Sequence, residues 1–156
     1  MKKLLKHIVY TASLLMFATQ ASAWVSKGFV PAKVDIFTVD IDDQANDGCW
    51  TNIGEVKRYA EDKLELAGFK VSREKFEGYE DKQHFLFGII VIANRINEKC
   101  YGNIKLEIGK AIYDNKIAGM FYTGKAGANF TGHENVNRYT LELVGDFMKE
   151  VEDPQW

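Results

Sequence analysis

Apolar side chains recur at helical spacing in two segments of the chain. In residues 49–68 and again in residues 135–152 they return every three or four positions, which places them on one face of a helix. The first face carries Ile53, Val56, Ala60, Leu64 and Ala67, and the second carries Val136, Tyr139, Leu143, Phe147 and Val151. The pattern predicts two amphipathic helices, each able to cover a sheet with its apolar side.

Signals at both ends support the first helix. Asn52 and Glu55 have the spacing of a capping box, in which the side chain of each residue accepts a backbone N–H from the other. Gly68 follows the last apolar position, where glycine adopts the left-handed conformation that ends many helices. We therefore expect the helix to begin near Asn52 and to end at Gly68.

Five segments have the composition of β-strands, rich in β-branched and aromatic residues. They span residues 33–41, 69–76, 85–96, 103–113 and 116–123, with polar loops expected at 42–48 and 97–102. The last three are joined by short turns, so they must pair antiparallel. The order β-α-β-β-β-β-α predicts an α+β two-layer sandwich, in which both helices cover one face of a mostly antiparallel sheet.

The first 23 residues have the features of a signal peptide. Lysines precede the mostly apolar segment 8–18, and residues 21–23 (A-S-A) form the small-x-small pattern of a cleavage site. We expect cleavage after Ala23, a single α+β domain over residues 24–156, and a periplasmic or secreted location. Residues 24–31 would then form an irregular lead-in. An uncleaved membrane anchor is the alternative.

Charge limits the kinds of partner. Removing the three lysines of the leader from the 20 basic residues leaves 17 against 22 acidic ones, a net charge of about −5. A moderately acidic protein has no general electrostatic attraction for nucleic acid or for an anionic membrane. We therefore expect a protein partner from the cell envelope, no nucleic acid, and no stable membrane insertion after cleavage. The sequence does not fix the oligomeric state.

Cys49 and Cys100 are the two cysteines of the chain. An even number of cysteines in an exported chain favours a disulfide. Closing a loop of this length stabilises the fold by about 4 kcal/mol in the chain-entropy model. A reactive or metal-binding thiol pair is the alternative, but the two cysteines are far apart in sequence and form no C-x-x-C motif.

Several of these segments together resemble known proteins. The helix end L-x-L-A-G-F-K-V (residues 64–71), the successive strands, the glycine-rich turn and the helix with L-V-G-D-F (residues 143–147) resemble small exported bacterial proteins of unknown function. Over residues 33–151 the element order is also similar to small α+β domains of envelope-assembly proteins, such as the N-terminal domain of the Tol-system propeller protein and the curli secretion lipoprotein. The resemblance implies an envelope setting and no catalytic residues. The cysteine pair departs from it.

The chain offers few residues for an enzyme site. Ser26 and Ser72 are the only serines after residue 23, and neither lies in a G-x-S-x-G motif. His84 and His133 could each act as a general base, although a solvent-facing or capping histidine is the simpler interpretation. The two histidines lack the spacing of a metal site. We expect no catalytic residue, metal or cofactor; the alternative is a small hydrolase that uses His84 or His133.

Two further segments are candidate binding sites. An acidic cluster offers oxygens that suit calcium, although it lacks the EF-hand frame and a solvated loop is the simpler interpretation. The cluster is Asp40, Asp42, Asp43 and Asp47. Residues 124–132 are predicted to form a flexible glycine-rich connection, which does not match the P-loop motif but precedes a helix whose N-terminus would attract anions. The candidate binding residues at this connection are Gly124, Lys125, Gly127, Asn129 and His133.

The sequence as a whole favours binding over catalysis. An exported domain without an assembled nucleophile, base or metal set is expected to be a non-enzymatic, disulfide-bonded binding protein of the cell envelope. A narrower form is an inhibitor or immunity protein that neutralises a basic enzyme, which the acidic balance permits. The many tyrosines and tryptophans also allow an aromatic protein-binding patch.

Overall fold

The computed structural model describes residues 22–26, 29–74, 84–114 and 117–152, so the predicted signal peptide up to residue 21 lies outside the described residues. Six strands form one mixed sheet in the order β1-β6-β5-β4-β2-β3. The strands are β1 Ser22–Val25, β2 Ile36–Ala45, β3 Val71–Ser72, β4 His84–Ile96, β5 Lys99–Asp114 and β6 Ile117–His133. The helices are α1 Ile53–Leu66 and α2 Asn137–Glu152, and a 3-10 turn spans Pro31–Lys33. The predicted α+β class is confirmed.

Both helices pack on the same face of the sheet. In β4, the odd-numbered residues from Phe85 to Ala93 are buried, while the even-numbered residues between them are half-buried. The ring of Phe87 lies 5.7 Å from the ring of Phe147 in α2. α1 adds fully buried apolar side chains to this layer: Val56, Ala60 and Leu64. The predicted two-layer sandwich is therefore present, and we call the side of the sheet away from the helices the open face.

The strand connections follow the prediction in part. β4, β5 and β6 form the predicted antiparallel meander. β2 pairs parallel to β4, from Ile36 opposite His84 to Ala45 opposite Ala93. A parallel pair needs a long crossover, which α1 and β3 supply. The sheet is thus mixed, and β2 with β4 is its longest parallel pair.

Two strands extend beyond their predicted ends. β2 continues to Ala45 through part of the predicted loop 42–48, because its backbone is paired with β4 there. β5 begins at Lys99, so Cys100 lies in a strand and its assignment to a turn is wrong. The turn consists of Asn97 and Glu98, whose φ angles of 48° and 64° are those of a two-residue type I′ hairpin.

Residues 124–132 do not form a flexible connection, so the prediction of a loop there is wrong. They belong to β6 and are paired with β5, from Ile108 opposite Gly124 to Tyr101 opposite Thr131. The small and polar residues of this segment have a low strand propensity of their own. Their strand conformation comes from the partner strand, which composition does not reveal.

The predicted irregular lead-in is also wrong at its start. β1 is an edge strand that pairs antiparallel with β6, with Ser22 opposite Gly127 and Val25 opposite Gly124. Val25 is fully buried, so this strand contributes to the core. Cleavage after Ala23 stays a prediction and would retain Trp24 and Val25 of this strand.

The ends of α1 differ in how well they match the sequence signals. Asn52 precedes the helix, but its side chain makes no capping hydrogen bond to the backbone. Its Nδ2 donates instead to Glu55 Oε2 at 3.2 Å, so the predicted capping box is not formed. Gly68 has a φ of 90°, so its predicted positive-φ conformation is present. The N–H groups of Gly68 and Phe69 donate to the carbonyls of Glu65 and Leu64, which is the pattern of a Schellman motif. No helix of the described residues is long and apolar enough to cross a membrane.

Candidate binding surface on the open face

The disulfide lies at one end of the sheet, on the helix side. Cys49 and Cys100 are bonded, with their Cα atoms 5.7 Å apart and both residues fully buried. The predicted pairing is confirmed. The bond joins the segment before α1 to the start of β5, and the N–H of Val136 donates to the Cys49 carbonyl at 2.9 Å. The starts of both helices are thereby fixed to the same end of the sheet.

Arg95 binds the backbone around this disulfide. Its Nε donates to the Asp47 carbonyl at 2.8 Å, and its Nη1 donates to the Glu98 carbonyl at 2.9 Å. Its Nη2 donates to the carbonyls of Gly48 and Glu134, each at 3.1 Å. The four carbonyls belong to three separate segments of the chain. The guanidinium therefore holds together the loop before Cys49, the hairpin before Cys100 and the end of β6.

We expect Arg95→Lys to lower the free energy of unfolding by about 2 kcal/mol, because one ammonium group cannot reach four carbonyls that a planar guanidinium spans. Urea unfolding measures the change. Arg138→Lys is the matched control. Within the described part of the chain Arg138 makes only an exposed ion pair with Glu142, and its replacement should cost less than about 0.5 kcal/mol. Equal effects of the two substitutions would contradict this role of Arg95.

The two histidines lie at opposite ends and on opposite faces of the sheet. His84 opens β4 on the open face, where its Nε2 lies 2.7 Å from Thr38 Oγ1. His133 ends β6 on the helix side and stacks on Tyr139 at 5.3 Å. Cys100 of β5 pairs with Arg95 on one side and with His133 on the other, so His133 lies level with Arg95. Arg95 is eleven residues along β4 from His84, a distance of roughly 35 Å. The two histidines therefore do not share a site.

The acidic cluster is divided between the two faces of β2. Asp40 and Asp42 lie on the open face, opposite Gly88 and Ile90 of β4. Asp43 points to the other side and accepts the N–H of Ala45 at 2.9 Å. The strand conformation separates these carboxylates, so they do not form the single calcium loop considered from the sequence. No group of three or more potential metal ligands occurs in the described part of the chain.

The open face carries an aliphatic stripe along β4. Leu86, Ile90 and Ile92 are half-buried there, although they face away from the helices. The flanking strands are polar on this face: β2 presents Asp40, Asp42 and Gln44, and β5 presents Asn103, Lys105 and Glu107. Where one face of a sheet is exposed to water, every second residue of each strand faces the water and is normally polar. The apolar centre with a polar border is the composition of a protein-binding surface.

A groove of about 250 Å³ lies at one end of this stripe. Gly88 and Gly109 form its floor, because neither has a side chain to fill the space. Met120 and Tyr122 stand beside Gly109, where an added Cβ would lie 3.1 to 3.2 Å from their side chains. Its remaining lining residues are Asp40, Asp42, Leu86, Ile89, Ile90 and Glu107. We call this feature the open-face groove.

A second groove, of about 350 Å³, runs between the two helices. Tyr59 and Lys63 of α1 face Asp146 and Lys149 of α2 across it. Lys149 Nζ lies 2.7 Å from Asp146 Oδ1, and this hydrogen bond and charge raise the pKa of Lys149 above its ordinary value. In this groove Asp146 and Lys149 thus satisfy each other's charge, and Glu142 pairs with Arg138. The open-face groove, which adjoins the aliphatic stripe, is the stronger candidate site.

The candidate residues of the predicted loop are divided by the pleat of β6. Lys125, Gly127 and Asn129 lie on the open face, opposite Glu107, Lys105 and Asn103 of β5. Gly124 faces the helices, since an added Cβ would lie 3.2 Å from the Phe147 ring, and His133 stacks on α2. Three of the five residues therefore border the candidate surface as parts of a strand. Their role in binding stays a proposal.

Neither the aliphatic stripe nor the open-face groove was predicted from the sequence. The signal was present in β4, whose residues 85–93 are apolar at both odd and even positions. Such a run is typical of a strand covered on both sides, yet both helices cover the same side. The excess apolar positions of this strand therefore mark the candidate surface.

Comparisons with known proteins support the fold. No family model matches the sequence, and no curated protein matches it. Among solved structures, the dodecamer of PelC from Paraburkholderia phytofirmans is similar with a TM-score of 0.54 and 11% identity, over 87% of this chain and 99% of that one. A single-residue variant of PelC matches with a TM-score of 0.50 and 11% identity, over 85% and 98%. At this identity the likeness shows a shared fold.

Proposed function

We propose that this chain is an exported, disulfide-bonded domain of the cell envelope that binds another protein through the open face of its sheet, without catalysing a reaction. The observation that carries the proposal is the aliphatic stripe of Leu86, Ile90 and Ile92 on the side of β4 away from the helices. Burying such side chains against a partner is favourable by about 25 cal/mol per Å² of apolar surface. The polar rows of β2 and β5 would form the border that water reaches.

Two features support the envelope setting. The disulfide suits an oxidising compartment, because such bonds are rare where glutathione keeps thiols reduced. The amino-terminal sequence has the three regions of a signal peptide. Both agree with a protein that folds after export, in the periplasm or outside the cell.

Aromatic side chains extend the proposed surface toward its edge. Trp24 of β1 lies opposite Lys125 of β6 and is 38% exposed. Tyr122 lies beneath Lys125, whose Nζ is 3.7 Å from the ring centroid. Tryptophan and tyrosine are enriched in protein interfaces because they bury a large area with few rotatable bonds. They give the surface candidate anchors on the side away from β2.

Self-association is a competing use of the same surface. The similar PelC structures are dodecamers, and the open face of one copy could cover that of another. An inhibitor or immunity protein that neutralises a basic enzyme is a narrower form of the proposal, which the acidic side chains of β2 favour. The molar mass in solution, measured by light scattering, separates an assembly of copies from a monomer that awaits a different partner.

Site-specific photo-crosslinking in intact cells tests the proposal. A photoreactive phenylalanine analogue at position 105, on the open face, should give a discrete adduct with a second protein. The same analogue at position 58, on the exposed side of α1, is the matched control and should give none. Adducts at position 58 alone, or no adduct at either position, would contradict binding through the open face.

A further inference from the structure

We infer that the open-face groove binds a lysine or arginine side chain of the protein partner. The inference rests on the proposed function, since it names the group that such a partner presents. Its basis is the combination of an apolar floor with several carboxylates, and no basic residue, at the rim. The cavity is the size of a single side chain.

The floor of the groove suits an aliphatic chain. Gly88 and Gly109 leave a gap in the sheet surface, and Leu86, Ile90 and Met120 surround it. The methylene groups of lysine or arginine pack well on such surfaces while the charged end stays in water. A gap that glycines create between half-buried aliphatic residues therefore matches the stem of a long basic side chain.

The rim supplies the complementary charge. Asp40, Asp42 and Glu107 line the groove, and no lysine, arginine or histidine is among its lining residues. Glu107 is paired with Lys125 at 3.4 Å. In the described ranges no ion pair involves Asp40 or Asp42, and Asp42 accepts a hydrogen bond only from the neutral Gln44. Two carboxylates thus remain to receive a cation from outside.

The size of the groove points to a side chain as its occupant. Cavities that hold drug-sized ligands have volumes of roughly 300–1,000 Å³, and this groove has about 250 Å³. The protein already holds a lysine in a similar way beside it: Lys125 lies over the Tyr122 ring and next to the Glu107 carboxylate. A partner's basic side chain would repeat this arrangement against Asp40 and Asp42.

The test uses small probes of known chemistry and protein purified from the organism that naturally produces it. n-Butylammonium represents the lysine side chain, 1-butanol is its neutral counterpart and butyrate its anionic one. Backbone amide shifts of residues 86–90, 107–109 and 120–122 are followed by NMR during titration. We expect saturable shifts with n-butylammonium, an affinity about fivefold above that for 1-butanol, and no saturable shifts with butyrate. Added salt should weaken the binding of n-butylammonium but not that of 1-butanol.

Three variants assign the effect to the groove. Asp40→Asn combined with Asp42→Asn should remove the preference for n-butylammonium over 1-butanol. Gly88→Val should abolish the binding of both, since its Cβ would approach only the Glu107 carbonyl, at 3.8 Å, and its methyl groups would fill the floor. Asp62→Asn, on the exposed side of α1, is the control and should change nothing.

Each outcome decides between the inference and its alternatives. Equal affinity of the wild-type protein for n-butylammonium and 1-butanol, or a preference for n-butylammonium that persists after both aspartates are replaced, would overturn the inference. Either result would leave the cross-linking test of the proposed function unaffected. Specific binding of n-butylammonium in the groove supports the inference. If n-butylammonium bound in the groove but no cross-linked partner were found in cells, the proposed function would fail. The preference of the groove for a basic side chain would still be established.

Discussion

Replacing both Cys49 and Cys100 with serine is expected to lower the free energy of unfolding by about 4 kcal/mol. The bond closes a loop between residues 51 positions apart, and its removal returns the entropy of that open loop to the unfolded chain. The loss is a large share of a domain stability of about 5–15 kcal/mol. The fold should survive under mild conditions, because the sheet and both helices keep their contacts.

Urea unfolding of oxidised and variant protein measures this difference. A double alanine variant is a necessary control, because both cysteines are fully buried and a buried serine hydroxyl has its own desolvation cost. The alanine and serine variants should both be destabilised. Adding a reductant should lower the free energy of unfolding of the wild-type protein alone. A double alanine variant as stable as the oxidised protein would contradict a stabilising role for the bond. Two free thiols per chain in the unreduced protein, measured under denaturing conditions, would contradict the pairing itself.

Gly102→Ala is expected to lower the free energy of unfolding by about 3 kcal/mol or more. Gly102 pairs with Ala93 in β4, and a Cβ at this position would overlap the carbonyl oxygen of Ile92 and lie 2.9 Å from the Ala93 Cα. Both neighbours are backbone atoms of a central strand, so they cannot move aside as a flexible side chain would. Overpacking against a rigid backbone typically costs about 1–3 kcal/mol, and more where relaxation is blocked.

Gly119→Ala is the matched control for this substitution. Gly119 also lies in a β-strand, but among the described residues no atom beyond its chain neighbours lies within 4 Å of its added Cβ. Its replacement should be neutral or slightly stabilising, because alanine has less conformational freedom to lose on folding. If thermal unfolding showed the same change for both variants, the close approach of β5 to β4 at Gly102 would not be the cause.

The elements with strong periodicity were predictable from the sequence. The helical spacing around Val56 and Leu64 and the alternation of Ile104, Leu106 and Ile108 each report one buried face, and local chain geometry converts them directly into a helix and a strand. Gly68 was predictable for the same reason, because its role is local. The cysteine pairing followed from the number of cysteines and the expected compartment.

The missed elements depend on partners that are distant in sequence. Residues 124–132 become a strand because β5 lies beside them, and Ser22–Val25 becomes a strand because β6 does. Residues 124–132 lack the β-branched and aromatic composition from which a strand is recognised, and Ser22–Val25 is only four residues long. The parallel pairing of β2 with β4 is likewise a property of the whole sheet.

The candidate site was missed for a related reason. The apolar residues of β4 predict a strand, but the sequence alone does not determine which of its faces the helices cover. Only the assembled sheet shows that Leu86, Ile90 and Ile92 lie on the side away from the helices, next to Asp40 and Asp42. Of the residues singled out from composition, Lys125, Gly127 and Asn129 border this surface, whereas Gly124 and His133 lie on the opposite face.

The open face as a binding surface is tested most directly by combining the cross-linker at position 105 with a substitution in the stripe. Ile92→Glu places a charge at a half-buried position away from the helices, and Ile92→Val is its control. We predict that Ile92→Glu lowers the adduct yield at least about tenfold, as a loss of about 1.4 kcal/mol or more would, while the melting temperature changes little and the valine variant keeps the adduct. An unchanged yield in folded Ile92→Glu protein would contradict the account.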